Sequence, residues 1–169
     1  MLQLFLERMP SPVGEIILGT DDKGVLRVLD FADYGPRMRR LLQRQYGAKD
    51  FSLANAVKPS RAASVLGAYF EGDLKAIERL KTANGGTQFQ RKVWAALRSI
   101  PARSTVSYGA LAARLGLPRA ARAVGLANGA NPIAIVVPCH RVIGANGALT
   151  GYGGGIARKR WLLAHEAGH

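Results

Sequence analysis

The chain has one cysteine, Cys139, among 169 residues. That excludes an intramolecular disulfide. One Cys with three His (His140, His165 and His169) is also a thin ligand supply for a structural zinc site, which usually takes four. We therefore expect no metal and no cofactor. Acids are nearly as scarce in the second half: residues 87–169 hold eleven Lys and Arg against a single carboxylate, Glu166. Long apolar runs are missing too, since none approaches the ~20 residues needed to span a bilayer. No charged segment followed by an apolar stretch marks the N-terminus as a signal peptide. A cytoplasmic protein with no membrane association is expected.

What is present is an ordinary folded composition, 48% hydrophobic and 21% charged, sufficient for one or two domains with real cores. The net charge of +13 is concentrated, because the first 86 residues carry only +3 of it. A folded, strongly basic segment favours a polyanion, nucleic acid first and a membrane surface second.

Leu2 to Leu6, Glu15 to Leu18 and Val25 to Leu29 read as three antiparallel strands joined by tight turns, one of them at Asp21-Asp22-Lys23-Gly24. Helical spacing follows from Pro36 to Tyr46 and from Pro59 to Phe70. Residues 1–82 thus form an N-terminal α+β domain, residues 83–86 (Ala83-Asn84-Gly85-Gly86) a linker, and residues 87–169 a second domain. In the second domain Thr87-Gln88-Phe89-Gln90 matches a capping box, and Phe89, Val93, Trp94 and Leu97 give the helix behind it one apolar face. Ser107 caps a helix through Leu111 and Leu115, which Gly116 closes. Pro118 is expected to open the next, with Arg119 and Arg122 on one face. Two short helices around a glycine turn make a helix-turn-helix or a plain αα-corner, and the basic charge favours the DNA-binding version. Arg119-Ala120-Ala121-Arg122 exposes small residues and arginine, so its backbone can approach a groove closely; read alone, it is more often a solvated helix of good formers.

The run from Ile133 to Val137 reads as a buried strand that delivers Cys139 onto His140. A thiol is mostly protonated at neutral pH and needs a base or positive potential to act as a nucleophile. Adjacent residues of a strand face opposite ways, so the two cooperate only if the chain bends here, at Pro138, with a bridging water between them. The histidine needs an orienting carboxylate, and Glu166 is the only one in this domain, on the apolar side of a final helix from Ile156 to Ala167. Separately, a lone cysteine is most often a small buried hydrophobe, and the histidine and glutamate have equally bland readings. Together the three favour catalysis.

Five segments in order, Ser107-Tyr108-Gly109-Ala110-Leu111-Ala112, Arg122-Ala123-Val124-Gly125, Asn131-Pro132 through Pro138-Cys139-His140-Arg141-Val142-Ile143-Gly144, Thr150 to Gly155, and Trp161 to Glu166, closely resemble the O6-alkylguanine-DNA alkyltransferases. The N-terminal part resembles them more loosely, through Leu66 to Gly72. The resemblance implies an α+β protein, a ribonuclease-H-like N-terminal domain followed by a mostly helical, winged-helix-like domain with a helix-turn-helix. It implies a monomer that binds duplex DNA through the minor groove, flips out O6-alkylguanine, or O4-alkylthymine, and takes the alkyl group irreversibly. Carried over by motif, Cys139 is the acceptor, His140 acts on it through water, Glu166 orients His140, Asn131 fixes the network and Tyr108 donates to the base. Arg122 fills the vacated stack. Thr105, Ser107, Tyr108, Arg119, Ala120, Ala121, Gly125, Asn128 and Arg141 are the other expected DNA contacts. Tyr108, Val142, Gly151, Tyr152 and Gly153 are expected to line the base pocket, with Thr150 to Gly155 as its lid.

Two departures from the pattern stand out. Family members often have glycine at the turn position held here by Arg103, and some carry an N-terminal zinc site whose cysteines this chain lacks. The acceptor cysteine separates the chain from the non-catalytic alkyltransferase-like branch. Two other classes remain open on the residues alone: a cysteine hydrolase using Cys139, His140 and Glu166, and a non-catalytic helix-turn-helix regulator.

Overall fold

The computed structural model describes residues 1–168, so His169 lies outside the described residues. It is a mixed α+β fold with a four-stranded sheet, a two-stranded sheet and six α-helices. The chain divides into two compact units, Met1–Gly85 with Pro132–Val136, and Gly86–Asn131 with the chain from Val137 onward. Among the described residues no helix is long and apolar enough to cross a membrane.

In the first unit β1 (Leu2–Met9), β2 (Ile16–Thr20) and β3 (Leu26–Phe31) pair antiparallel as the alternating sequence leads one to expect. A fourth strand, β4 (Phe51–Asn55), lies parallel to β1 and gives the order β3-β2-β1-β4. Its five residues are too short and too exposed at one end to signal a strand. Helix α1 (Gly35–Tyr46) turns Met38 and Leu42 onto Leu4, Ile17, Val28 and Phe51 as the core. Helix α2 (Arg61–Phe70) is capped by Ser60, whose hydroxyl accepts from Ala63 N–H. Gly85 is required by a close approach, since a Cβ there would lie 2.7 Å from the Tyr46 ring.

In the second unit α3 (Gln88–Arg98) opens on the capping box of Thr87 and Gln90 and buries Val93, Trp94 and Leu97. Trp94 Nε1–H donates to Ala127 O at 2.9 Å, tying α3 to α5 (Ala121–Gly129). The two-residue strand β5 (Val106–Ser107) leads into α4 (Tyr108–Arg114), whose Ser107 cap accepts from Ala110 N–H; β5 pairs with β6 (Val142–Ile143). Gly116 closes α4 in the left-handed region. Helix α5 starts later than Pro118, however. Ala120 N–H bonds to Leu117 O at 2.9 Å, so Pro118 and Arg119 are the middle of a turn, where proline's fixed φ serves equally well. Arg119 and Arg122 therefore do not share a helical face. The last helix, α6, spans Ile156–Glu166.

The run Ile133–Val137 is fully buried but is not a strand. A single bridge joins Ile133 to Leu29, and Val136 N–H then closes back on Ala134 O at 2.8 Å around Ile135. Ile135 has φ +70°, which makes this a strained γ-turn on a β-branched residue. A continuous apolar run fits either a buried strand or buried turns, and here the turns prevail.

Candidate active site

A second γ-turn places the thiol. Cys139 N–H bonds to Val137 O at 2.8 Å around Pro138, whose φ of −82° and ψ of 67° are those of the relaxed inverse form. Cys139, His140 and Arg141 then form a single 3-10 turn, ended by Val142 N–H donating to Cys139 O. The bend expected at Pro138 is thus present, as a tight turn. Cys139 is 7% exposed and His140 fully buried.

His140 Nε2 and Glu166 Oε2 are 2.8 Å apart. Glu166 also accepts from Arg141, Nε to Oε1 at 2.8 Å and Nη2 to Oε2 at 2.9 Å, while Arg141 Nη1 holds Ile100 O at 2.7 Å. Burial alone would raise the Glu166 carboxyl, but the hydrogen bonds from His140 and Arg141, with the charge of Arg141, hold it far below the usual carboxylate range. Burial lowers His140, against the opposing pull of Glu166, so its ring is neutral at neutral pH. An ionised Glu166 can only accept, so the ring proton sits on Nε2. Nδ1 is left as a bare, buried base with no hydrogen bond to protein. Arg141, expected among the DNA contacts, is 3% exposed and turned inward as the counter-ion of Glu166.

Lys159, which nothing in the motif reading singled out, is a second buried cation. It lies on one stripe of α6 with Leu162 and Glu166, the signal that could have found it. Its ammonium donates to Val142 O at 2.6 Å, Thr150 O at 3.0 Å and Gly151 O at 3.4 Å, using all three protons to fasten the loop at 150–151 to β6. Burial depresses its pKa, and charge on Cys139 opposes that. Tyr108 also feels the charge of Cys139; burial above all raises its pKa, so its hydroxyl is protonated at neutral pH. That hydroxyl donates to Thr150 O at 3.3 Å. Tyr108 and Lys159 thus both feel charge on the thiol, and the neutral His140 follows it directly in the chain.

The remaining expected residues fall into two groups. Arg119, Arg122, Thr105, Gly151 and Gly153 are exposed, with Ala120, Ala121 and Tyr152 half-buried. Ser107 is occupied as a helix cap, and Gly125 faces the Tyr108 ring, where a Cβ would come within 3.7 Å. Buried instead are Val142, Asn131, whose Nδ2 donates to Val137 O at 2.8 Å, and Asn128. Asn128 was expected to face DNA but turns inward to Cys139 O at 3.4 Å, because it shares the inner face of α5 with Val124 and Ala127. Among the described residues no three His, Cys, Asp or Glu side chains gather as a metal would need.

Residues 88–168 match the family described as 6-O-methylguanine DNA methyltransferase, DNA binding domain. A methylated-DNA–protein-cysteine methyltransferase of Salmonella typhimurium is 51% identical over 166 residues, covering 98% of this chain and 97% of its own. Two crystal structures are similar over nearly the whole chain. The Mycobacterium tuberculosis OGT in complex with DNA has a TM-score of 0.78 at 42% identity, covering 98% of this chain and 93% of that one. The O6-methylguanine-DNA methyltransferase of the archaeon Pyrococcus kodakaraensis has 0.70 at 31%, covering 98% and 99%. A relative half identical from end to end, together with a thiol set beside this His–Glu–Arg network, shows that the chain belongs to the methylated-DNA–protein-cysteine methyltransferase family.

Proposed function

We propose that the protein repairs O6-alkylguanine in duplex DNA by moving the alkyl group to Cys139. The observation that carries this is the buried His140–Glu166–Arg141 network, which leaves His140 Nδ1 as a free base in the same turn as the thiol. In this reading the Cys139 proton passes to Nδ1, through one water, and Glu166 stabilises the imidazolium that forms. The thiolate attacks the alkyl carbon, the S–C bond forms as the C–O6 bond breaks, and negative charge develops on the departing guanine. Tyr108, protonated at neutral pH, donates to that charge.

The lesion lies inside the stack, so the nucleotide must be extruded at a cost of about a few kcal/mol. In this reading Arg122, exposed near the start of α5, fills the gap, and a minor-groove approach suits the small residues Ala120 and Ala121 beside it. The Thr150 to Gly155 loop, fastened by Lys159, covers the base. The packing of α4 on α5, with α4 also against the two-residue parallel pair β5–β6, supports a winged-helix-like description of the second unit. The mixed four-stranded sheet supports a ribonuclease-H-like one of the first. O4-alkylthymine fits the same displacement chemistry. A thioether is no leaving group, so each molecule reacts once.

Incubation with duplex O6-methylguanine should add one methyl group per molecule by intact mass, on the peptide containing Cys139, and Cys139→Ser should abolish it. Repeated turnover would instead mean a hydrolase or a true catalyst.

A further inference from the structure

We propose that Asn128 is a positioning residue that couples the seating of α5 on DNA to the backbone of the acceptor cysteine. Asn128 is 5% exposed, on the inner face of a nine-residue helix. The outer face of the same helix presents Arg122 and Leu126, the latter 72% exposed. One rigid element therefore has its outward side chains free and its inward amide against Cys139.

The contact is incomplete. Nδ2 donates to Cys139 O at 3.4 Å, at the long end of the hydrogen-bond range, and Oδ1 is buried with no partner among the described residues. Three residues on, Asn131 makes the equivalent bond to Val137 O at 2.8 Å. The two asparagines thus hold the carbonyls on either side of Pro138, one tightly and one loosely. A buried amide left half-bonded is costly, and a leucine or methionine would fill the same volume without that cost. What the amide adds is a bond that tightens when α5 moves inward by a few tenths of an ångström. Cys139 O already accepts from Val142 N–H, so a tighter Asn128 bond pulls on the turn that carries the thiol and on the entry to β6. Coupling requires an element with two arrangements that both sites bias; the loose bond at 3.4 Å is the one in this structure, and the tightened one is assigned to the DNA-bound protein.

The inference rests on Cys139 being the acceptor and on α5 facing DNA, and it is tested apart from both. In the wild-type protein, titration with undamaged duplex should shift the Asn128 side-chain NH2 and Val142 amide NMR resonances together. Unmoved resonances in the bound protein overturn the coupling. Asn128→Ala and Asn128→Met should leave duplex affinity within about twofold and lower the saturating rate of methyl transfer from duplex by about tenfold, with a loss of less than about threefold on free O6-benzylguanine, which docks no helix. Equal losses on the two substrates would mean local support only, and a loss of affinity would mean direct DNA contact; each overturns the proposal. If neither variant folds, the wild-type spectra decide. A wild-type protein that shows the shifts yet never accepts a methyl group sinks the repair reading and leaves the coupling intact.

Discussion

His140 and Glu166 make sense only as one unit, because Glu166 fixes the tautomer of His140 and the His140 hydrogen bond helps to keep Glu166 ionised. Removing Glu166 frees the Nε2 proton to move and leaves Arg141 buried without its counter-ion. Glu166→Gln and His140→Ala should each slow methyl transfer, and the double variant should lose much less than the sum, read in single-turnover rates. Additive losses would mean two independent roles. Arg103 carries a different kind of strain. It has φ +71° at the third position of a turn closed by Ser104 N–H on Pro101 O, a position that suits glycine. Arg103→Gly should therefore raise stability by about 1 kcal/mol in chemical denaturation, since a side chain in the left-handed region costs about 1–2 kcal/mol and glycine's entropy returns part of it.

Among the elements, α5 has two tasks that one substitution can separate. Arg122 is exposed and outside the buried packing of Val124, Ala127 and Asn128. Arg122→Ala removes one charge, which weakens duplex binding modestly, and also the group proposed to fill the vacated stack. Transfer from duplex should fall by more than about tenfold, while the rate with free O6-benzylguanine stays nearly unchanged. Similar losses on both would assign Arg122 to the fold or the thiol. The relaxed γ-turn at Pro138 is a second local element of the same unit, and it sets the backbone from which Cys139 departs.

Over the whole molecule, the buried network makes stability depend on acid. Glu166 is held far below its unfolded pKa of about 4.3, so its contribution is present above that value and is lost as pH falls through it toward the folded one. His140 is also depressed: the unfolded ring takes up a proton below about 6.5 and the buried ring does not. Both effects have the same sign. Denaturation midpoints should fall from pH 6.5 downward, more steeply below about 4.3. Glu166→Gln should be less stable at pH 7.5 by about 3–5 kcal/mol, because Arg141 is left as an unpaired buried charge, and its acid slope should be shallower. A wild-type slope that the substitution leaves unchanged would place the acid sensitivity elsewhere.

Local chemistry was enough to read the capping box at Thr87, the Ser107 cap, the left-handed Gly116, the three antiparallel strands and the collection of Cys139, His140 and Glu166 in one domain. The caps, the turn glycine and the strands depend on residues within a few positions of one another or on periodicity along one element, whereas Glu166, 26 residues beyond His140, is legible because it is the one acid among residues 87–169. What the sequence left open depends on partners far along the chain. Whether Phe51–Asn55 is a strand was decided by the free edge of β1, and whether Ile133–Val137 is a strand or turns by the single bridge to Leu29. Lys159, Arg141 and Asn128 all look like surface residues in sequence. Only packing shows that the first fastens a loop, the second neutralises Glu166 and the third reaches Cys139. Composition supplies the charged and polar groups, but their burial, and with it their pKa shifts and tautomers, exists only once the helices close over them.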